Sequence, residues 1–300
     1  MPSKLRRGGY GKLQRDDHAY PEFLTDAGRL LPPAIHATTL TTREHAEKTK
    51  RIVIVGDVHG CLDEMQELLQ KVNFTQGPDL LLFNGDMVNK GPHSVKVIQE
   101  VRKLGGMSVR GNNDDLALGA WEAWHRGKTE LPEKVAWVKG MPKADADWLR
   151  SLPWTINIPD LKLLMVHGGL VPEIPLHQQS LQTLFTLREL IQDRHGAWRM
   201  AQDKEGEHGP EWTSIYNGHD FVIFGHDSGR GLQRGPRSLG LDTGCVYGNV
   251  LTAAIIDLTN STGPALGNAQ FQGDLIEKIK LVSVKSHHQY APSCMRLEYD

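Results

Sequence analysis

One repeated pattern constrains the fold of this chain more than any other feature. A short apolar run rich in β-branched residues is followed by a glycine-containing loop that carries polar residues. In the first example the run 52–55 leads into the loop 56–60, and apolar residues then recur at helical spacing from Leu62 to Val72. This alternation of strand and helix predicts an α/β domain.

The pattern returns four more times, and each predicted strand ends in a polar loop. The further runs are 80–83, 107–110, 163–166 and 221–224. Parallel strands joined by helices place their carboxyl ends along one edge of a sheet, so we expect the five loops to meet in space. A single site can then draw on residues that are far apart in the sequence.

The rest of the chain is divided around this repeated unit. Residues 1–50 show no clean periodicity and are interpreted as an N-terminal extension, followed by a catalytic domain at 51–300. The segments 113–160 and 172–219 interrupt the alternation and hold all seven tryptophans. We expect helical insertions in both segments, flanking the site and contributing to substrate selection.

Composition excludes several functional classes. The 34 Lys+Arg and 36 Asp+Glu give a formal charge of −2, so no global charge draws the protein to nucleic acid or anionic lipid. The three cysteines form no CxxC pair, which favours a reducing compartment over a disulfide framework or a zinc ribbon. No apolar run approaches the roughly 18 residues that a membrane helix needs, so no membrane partner is expected.

An intracellular, most simply cytoplasmic, location is therefore predicted. Residues 1–15 carry five basic residues and no acidic one. Glycines weaken any amphipathic helix there, so a flexible basic tail is the preferred interpretation, with an organellar presequence as the alternative.

The five loops together present six side chains that can bind a metal ion, and none of them is a thiolate. Oxygen and imidazole ligands of this kind suit manganese, iron, zinc or magnesium. Since a carboxylate can bridge two ions, one aspartate is the natural centre of a binuclear site, which would favour hydrolysis of phosphoesters or phosphoanhydrides. The predicted ligands are Asp57 and His59 on one side, Asp86 in the centre, and Asn112, His167 and His226 on the other.

Five motifs in this order resemble the signature of the calcineurin-like metallophosphoesterases of the phosphoprotein-phosphatase lineage. They are GDVHG at 56–60, GDMVNKGP at 85–92, RGNND at 110–114, HGG at 167–169 and GHD at 225–227. Within that lineage the chain is most similar to the ApaH branch of symmetrical diadenosine tetraphosphate hydrolases and ApaH-like phosphatases. That likeness rests on GDVHGC at 56–61, Lys90-Gly91-Pro92 and GLDTGCVYG at 240–248.

The resemblance covers about residues 51–257 and carries structural and chemical implications. It implies an α/β fold built as a two-sheet β-sandwich flanked by helices, with the active site at the carboxyl ends of the strands. It also implies two divalent ions per chain. Manganese is the first choice, with iron, zinc, cobalt or magnesium as alternatives.

Two motifs depart from the protein-phosphatase pattern. Asn89 and Lys90 replace Asp and Arg, and Asn113 replaces the His that protonates the leaving oxygen. A polyphosphate leaves as a stabilised anion and hardly needs a proton donor, whereas a serine alkoxide is a poor leaving group that does need one. These changes therefore favour anhydrides over phosphoproteins as substrates. Another residue could act as the acid, with Lys90, Asp114 and Asp115 as candidates, and the sequence leaves this role open.

Cationic and aromatic side chains near the metal loops are candidates for binding substrate. Lys90 and Arg110 belong to those loops, so we expect both cations to face the transferred phosphoryl group. Arg188 and Arg230 are further candidates, each with an ordinary surface role as the alternative, and Tyr247 could stack on a base or ribose. The predicted catalytic residues are Asp86, Lys90, Arg110 and Asn113.

These observations predict a hydrolase of phosphoanhydride bonds in a nucleoside polyphosphate, such as diadenosine tetraphosphate or an RNA cap. The alternatives are a serine/threonine phosphoprotein phosphatase, an inorganic polyphosphatase, and a degenerate nucleotide-binding module that lost activity with Asn113. The complete ligand set argues against the degenerate module, because loss of selection for catalysis should also erode the metal-binding residues.

Overall fold

A computed structural model describes residues 37–39, 49–202, 206–259 and 278–292 of the 300-residue chain. Most of the predicted N-terminal extension, including its basic tail, lies outside the described residues, and so does Cys294. The strands are β1 (Ala37–Thr39), β2 (Arg51–Val55), β3 (Asp79–Phe83), β4 (Met107–Ser108), β5 (Thr155–Ile158), β6 (Leu163–Val166), β7 (Leu190–Gln192), β8 (Trp198–Met200), β9 (Phe221–Phe224), β10 (Gln233–Gly235), β11 (Ser238–Gly240), β12 (Val250–Asp257) and β13 (Ile279–Lys285). The α-helices are α1 (Leu62–Lys71), α2 (Ser94–Lys103), α3 (Asn112–His125), α4 (Lys143–Ser151), α5 (Leu181–Thr186) and α6 (Trp212–Ile215), and short 3-10 helices lie at Glu133–Gly140, Pro159–Leu161 and Leu176–Gln178.

Two main sheets carry the fold. The first sheet has the strand order β1-β5-β6-β9-β11-β10, and the second has the order β13-β12-β2-β3-β4. In the second sheet β2, β3 and β4 are parallel, and in the first sheet β6 and β9 are parallel. All five strands that the repeated pattern predicts are present, and the expectation of two sheets flanked by helices is confirmed.

Strand β2 shows why the sequence folds into this arrangement. Its residues from Ile52 to Val55 are fully buried, as expected of a parallel strand that is covered on both faces. Because successive side chains point to opposite faces, Ile52 and Ile54 lie on the face that joins the apolar cluster containing Met165 of the first sheet. Val53 and Val55 pack on the other face, in the cluster that contains apolar residues of α1 and α2. The apolar core between the two sheets therefore holds the carboxyl ends of their strands near one another.

The two predicted helical insertions differ from expectation. The segment 113–160 is largely helical, but near its end it contains β5, which pairs antiparallel with β6 inside the first sheet. In the described part of the segment 172–219 the helices are short, and the segment includes the antiparallel hairpin β7–β8. Asp193 explains that hairpin, because its carboxylate accepts hydrogen bonds from the backbone N–H groups of His195 and Ala197 and so stabilises a tight turn.

The described residues also bear on the cysteines and on membrane-spanning helices. Cys61 and Cys245 are buried and are not joined in a disulfide. Among the described helices, none combines the length and the apolar character needed to cross a bilayer.

The packing between the sheets can be tested with a pair of leucines. Leu82 is fully buried between the sheets, whereas Leu232 is 41% exposed. Leu82→Ala should lower the free energy of unfolding by about 3 kcal/mol, because it removes buried contacts and leaves a cavity. Leu232→Ala should change it by less than about 0.5 kcal/mol. Urea unfolding would measure both values, and equal losses in the two variants would contradict this assignment of the core.

Candidate active site

The six predicted metal ligands lie at the carboxyl ends of strands from both sheets. Asp57 and His59 follow β2, Asp86 follows β3, and Asn112 begins α3 after β4. In the first sheet, the ligands His167 and His226 follow β6 and β9. None of the six is more than 5% exposed. The packing of the two sheets thus gathers polar residues from five loops into one buried cluster.

Asp86 lies between histidines from different loops. One carboxylate oxygen is 3.5 Å from Nε2 of His59, and the other is 3.3 Å from Nε2 of His167. Potential ligand atoms of Asp57, His59 and Asp86 all lie within 4.8 Å of one another. These three residues therefore form a possible metal site.

Asn112 connects the remaining ligands. Its Oδ1 atom is 2.8 Å from Nε2 of His167 and 3.0 Å from Nδ1 of His226. The backbone N–H of His226 donates to Asp57, which joins the two ends of the cluster. The structure therefore brings all six predicted residues together, as the convergence of strand ends implies.

Backbone carbonyls fix the orientation of two histidine rings. Nδ1 of His59 is 3.0 Å from the carbonyl oxygen of Val88, and Nδ1 of His167 is 2.8 Å from that of Asn84. A carbonyl can only accept, so each Nδ1 carries the hydrogen and each Nε2 presents its lone pair when the ring is neutral. This is the arrangement expected of histidines that bind a metal ion through Nε2.

The backbone approaches the cluster too closely for larger residues at two glycines. A Cβ atom at Gly225 would lie 2.1 Å from Oδ1 of Asp57, and one at Gly111 would lie 2.2 Å from Oδ1 of Asp86. The ligand-bearing residues His59, Asp86 and His226 also have positive φ angles. Unfavourable backbone conformations of this kind persist only where the surrounding structure enforces them, and they are concentrated at functional sites.

The electrostatics of the cluster suit a divalent cation. Burial, followed by the nearby Asp242 carboxylate, raises the pKa of Asp57 well above its ordinary value. Burial also opposes ionisation of Asp86, but His167, His59 and Lys90 lower its pKa below the ordinary value. Oδ1 of Asp57 is buried and has no hydrogen-bond partner within the described residues. A cation would neutralise these acids and supply the missing partner, so the residues fit a metal ion.

Three of the predicted substrate-binding residues lie at the border of the cluster. Nζ of Lys90 is 3.2 Å from Nε2 of His59 and 5.4 Å from the centre of the Tyr247 ring. Arg188 lies beside the last loop, with its guanidinium 3.5 Å from the carbonyl oxygen of His226 and 3.4 Å from Asp227. Asn89 and Lys90 have φ angles of 68° and 67°. Two successive residues in the left-handed conformation therefore set the path of the backbone in this loop.

The structure places Arg110 differently from the expected phosphate contact. Its guanidinium is fully buried, 3.1 Å from the carboxylate of Asp115, and it donates to the carbonyl oxygens of Arg150 and Leu152. It also lies over the ring of Trp154 at 4.3 Å. Arg110 therefore joins the helical segment to the end of β4, and the expectation that it faces the phosphoryl group is corrected.

Arg230 likewise has partners inside the protein. It forms ion pairs with Asp227, Glu189 and Glu211, and its side chain is only 11% exposed. A cation with three carboxylate partners has little charge left for a distal phosphate. The predicted phosphate contact of Arg230 is therefore replaced by a role in joining the segment 172–219 to the loop after β9.

The carboxylates considered as leaving-group acids also have internal partners. Asp114 accepts hydrogen bonds from the backbone N–H groups of Met87 and Gly111, and Asp115 pairs with Arg110. Burial, together with the charge of Asp86, raises the pKa of Asp114 to about 7. Asp114 thus holds the loops that carry Asp86 and Asn112 in position.

Sequence reasoning missed the partner of Asn89. The indole N–H of Trp137, in the segment 113–160, donates to Oδ1 of Asn89 at 2.7 Å, and Nδ2 of Asn89 donates to Asn113. Asn113 in turn donates to both oxygens of Asp86, from its backbone N–H and from Nδ2. The tryptophan-rich composition of this segment was the only available signal, and it does not identify which indole faces the site.

Metal binding should protect the fold more strongly at alkaline pH. Burial raises the pKa of Asp242 to about 6, and the Asp86 and Asp57 carboxylates outweigh burial and raise the pKa of His167 to about 10. A group whose folded-state pKa is raised stabilises the fold below its ordinary pKa and loses that contribution as the pH rises through the folded value. Chelator-treated protein should therefore lose stability from about pH 4 to about pH 10.

A bound cation replaces the protons that these groups lose. The rise in Tm on adding Mn²⁺ to chelator-treated protein should be larger at about pH 8.5 than at about pH 6. Thermal unfolding followed by circular dichroism would measure both shifts. An equal rise at the two pH values would contradict the electrostatic account of the cluster.

The corrected placement of Arg110 predicts a loss of stability on substitution. Arg110→Met leaves the Asp115 carboxylate buried without its charged partner, so the free energy of unfolding should fall by about 3–5 kcal/mol. Arg126→Met is the matched control, because that side chain is 68% exposed and its pair with Glu122 is worth less than about 1 kcal/mol. Urea unfolding measures both. Unchanged stability with a raised KM in Arg110→Met would instead support a phosphate contact.

Known proteins resemble this chain in sequence and in structure. The family model for calcineurin-like phosphoesterases matches residues 50–229. The chain is 40% identical over 132 residues to the symmetrical bis(5'-nucleosyl)-tetraphosphatase of Photorhabdus laumondii, which covers 43% of this chain and 47% of that protein. The enzyme of the same name from Psychromonas ingrahamii is 31% identical over 169 residues, covering 55% of this chain and 60% of that protein. The chain thus spans about half the length of the curated relatives it matches.

Solved structures extend the likeness over most of the fold. A crystal structure of a protein with the proposed activity of a diadenosine tetraphosphatase is 32% identical, has a TM-score of 0.67, and covers 84% of this chain and 98% of that chain. A protein serine/threonine phosphatase from Saccharomyces cerevisiae shares the fold, with a TM-score of 0.51 at 16% identity over 87% of this chain and 86% of that chain. The buried cluster at the strand ends, the two-sheet architecture and the match over residues 50–229 agree: the chain belongs to the calcineurin-like phosphoesterase family.

Proposed function

We propose that this chain is a metal-dependent hydrolase of phosphoanhydride bonds in nucleoside polyphosphates. The observation that carries the proposal is the cluster of six metal-competent side chains around Asp86, bordered by the neutral amide of Asn113. The names of the two bacterial relatives and the neighbouring crystal structure support a dinucleoside tetraphosphate as the first substrate to test. Capped RNA is the second, because its bridge contains the same type of bond.

Two divalent ions are the proposed cofactor. Asp57 and His59 would hold one ion, Asn112, His167 and His226 would hold the other, and Asp86 would be shared by both. Manganese is the first choice, because the set combines carboxylate, amide and imidazole ligands. When bound, such ions activate water and neutralise the charge of phosphoryl oxygens.

The residues of the chain itself would orient the substrate and balance its charge. Lys90 lies 3.2 Å from His59, so its ammonium group can reach a phosphoryl oxygen held at the cluster. Arg188, beside His226, would contact the phosphate on the opposite side. Tyr247 lies next to Lys90 and would pack against a base or ribose.

The preference for anhydrides follows from the leaving group. Asn113 is an amide whose Nδ2 donates to Asp86, so it has no acidic proton to transfer. A nucleoside polyphosphate leaves as a stabilised anion and needs no such proton, whereas a serine alkoxide does. This difference supports a nucleotide hydrolase over a phosphoprotein phosphatase.

A substrate panel tests the proposal. Purified protein with Mn²⁺ should release nucleotides from diadenosine tetraphosphate, and more slowly from capped RNA, with less product from inorganic polyphosphate or a phosphopeptide. Asp86→Asn should abolish turnover, because the shared carboxylate is lost. Lys90→Ala should lower kcat by about 100-fold while the metal content stays unchanged.

The outcomes of the panel separate the alternatives. Turnover of the phosphopeptide alone would reject the proposal in favour of a protein phosphatase. Bound nucleotide that survives with Mn²⁺ present would reject it in favour of a binding module. Polyphosphate as the preferred substrate would indicate that no nucleoside is recognised.

A further inference from the structure

A chain of hydrogen bonds connects the helical segment 113–160 to the central carboxylate of the site. It runs from the Trp137 indole N–H to Oδ1 of Asn89 at 2.7 Å, and from Nδ2 of Asn89 to the carbonyl oxygen of Asn113 at 3.0 Å. The last bond runs from Nδ2 of Asn113 to Asp86 at 2.8 Å. Trp137 is 48 residues away from Asn89 and belongs to the 3-10 helix Glu133–Gly140.

The direction of every hydrogen bond in this series is fixed, because the series includes groups that can only donate or can only accept. An indole N–H can only donate, so it must face the oxygen of the Asn89 amide. The backbone carbonyl of Asn113 can only accept, so it must face the nitrogen of that same amide. The ionised carboxylate of Asp86 can only accept, and it therefore selects the nitrogen of Asn113. Rotating the Asn89 amide would break its bonds to Trp137 and Asn113. Rotating the Asn113 amide would break its bonds to Asn89 and Asp86.

We propose that Trp137 is a positioning residue for the active site. Its N–H holds the Asn89 amide with the nitrogen toward Asn113, and Asn89 in turn holds Asn113 as a neutral donor to Asp86. This inference rests on the proposed function, and it assigns the segment 113–160 a role in selecting bonds that break without a proton donor. Trp137 would therefore act on the site through Asn89 and Asn113.

Burial makes the orientation sensitive to loss of the indole donor. Asn89 is 3% exposed and Asn113 is 2% exposed, so water does not readily replace a missing partner. Without the indole N–H, Oδ1 of Asn89 becomes an unsatisfied buried acceptor, and the amide gains by rotating toward another donor. That rotation withdraws Nδ2 from Asn113 and loosens the contact of Asn113 with Asp86.

Trp137→Phe isolates this effect because it removes the N–H and keeps most of the ring. Trp148→Phe is the matched control, since Trp148 is also half-buried in the segment 113–160 and packs against the same core cluster. With Mn²⁺ and diadenosine tetraphosphate, Trp137→Phe should lower kcat by about 3–10-fold and leave KM within about twofold. Trp148→Phe should leave both constants near the wild-type values. Metal content should be the same in all three proteins.

A double-mutant cycle shows whether Trp137 acts through Asn89. Asn89→Gly removes the amide, and glycine adopts the φ angle of 68° at that position without strain. If Trp137 acts through Asn89, the double variant Asn89→Gly with Trp137→Phe should turn over no more slowly than Asn89→Gly alone. Multiplied losses in the double variant would overturn the inference.

A measurement that does not depend on turnover keeps the two proposals separable. The side-chain NH₂ resonances of Asn89 and Asn113, in protein labelled with ¹⁵N at asparagine, should shift in Trp137→Phe and stay in place in Trp148→Phe. Unchanged resonances in Trp137→Phe would overturn the inference even if the enzyme hydrolyses anhydrides. Shifted resonances in a protein that hydrolyses no anhydride would support the hydrogen-bond chain and reject the proposed function.

Discussion

The structure depends on a buried carboxylate that is held from several directions at once. Asp86 accepts hydrogen bonds from the backbone and side chain of Asn113 and lies within 3.5 Å of a nitrogen in both His59 and His167. Such a group is costly to bury, and the histidines and a lysine keep its pKa low. Both sheets must pack correctly for these partners to meet, so the stability of the core and the geometry of the site are linked.

Much of this arrangement could be predicted from the sequence, because the signals that mark each ligand lie next to it in the chain. The ligands follow strands whose apolar runs are easy to identify, and glycines mark the positions where the backbone must turn sharply. The topology of parallel strands then brings the loops together without any knowledge of side-chain contacts. That is why six residues scattered from 57 to 226 could be assigned to one cluster.

The positions of charged side chains beyond the ligand set were harder to predict, because each depends on partners distant in sequence. Arg110 lies in the expected loop, but its direction is set by Asp115 and by carbonyl oxygens 40 residues later or more. The partners Glu189 and Glu211 of Arg230 come from the second inserted segment, whose hairpin was not expected. Trp137 is a similar case: its indole was visible in the sequence and its contact with Asn89 was not.

The two consecutive left-handed residues in the loop after β3 limit which side chains can replace Asn89. Backbone of this shape admits asparagine, aspartate and glycine readily and excludes β-branched residues. Exchange of Asn89 for aspartate would suit the same backbone conformation, but it would add a negative charge and remove the Nδ2 donor to Asn113. A single substitution at residue 89 would thus change the groups that face Asn113 without rebuilding the loop.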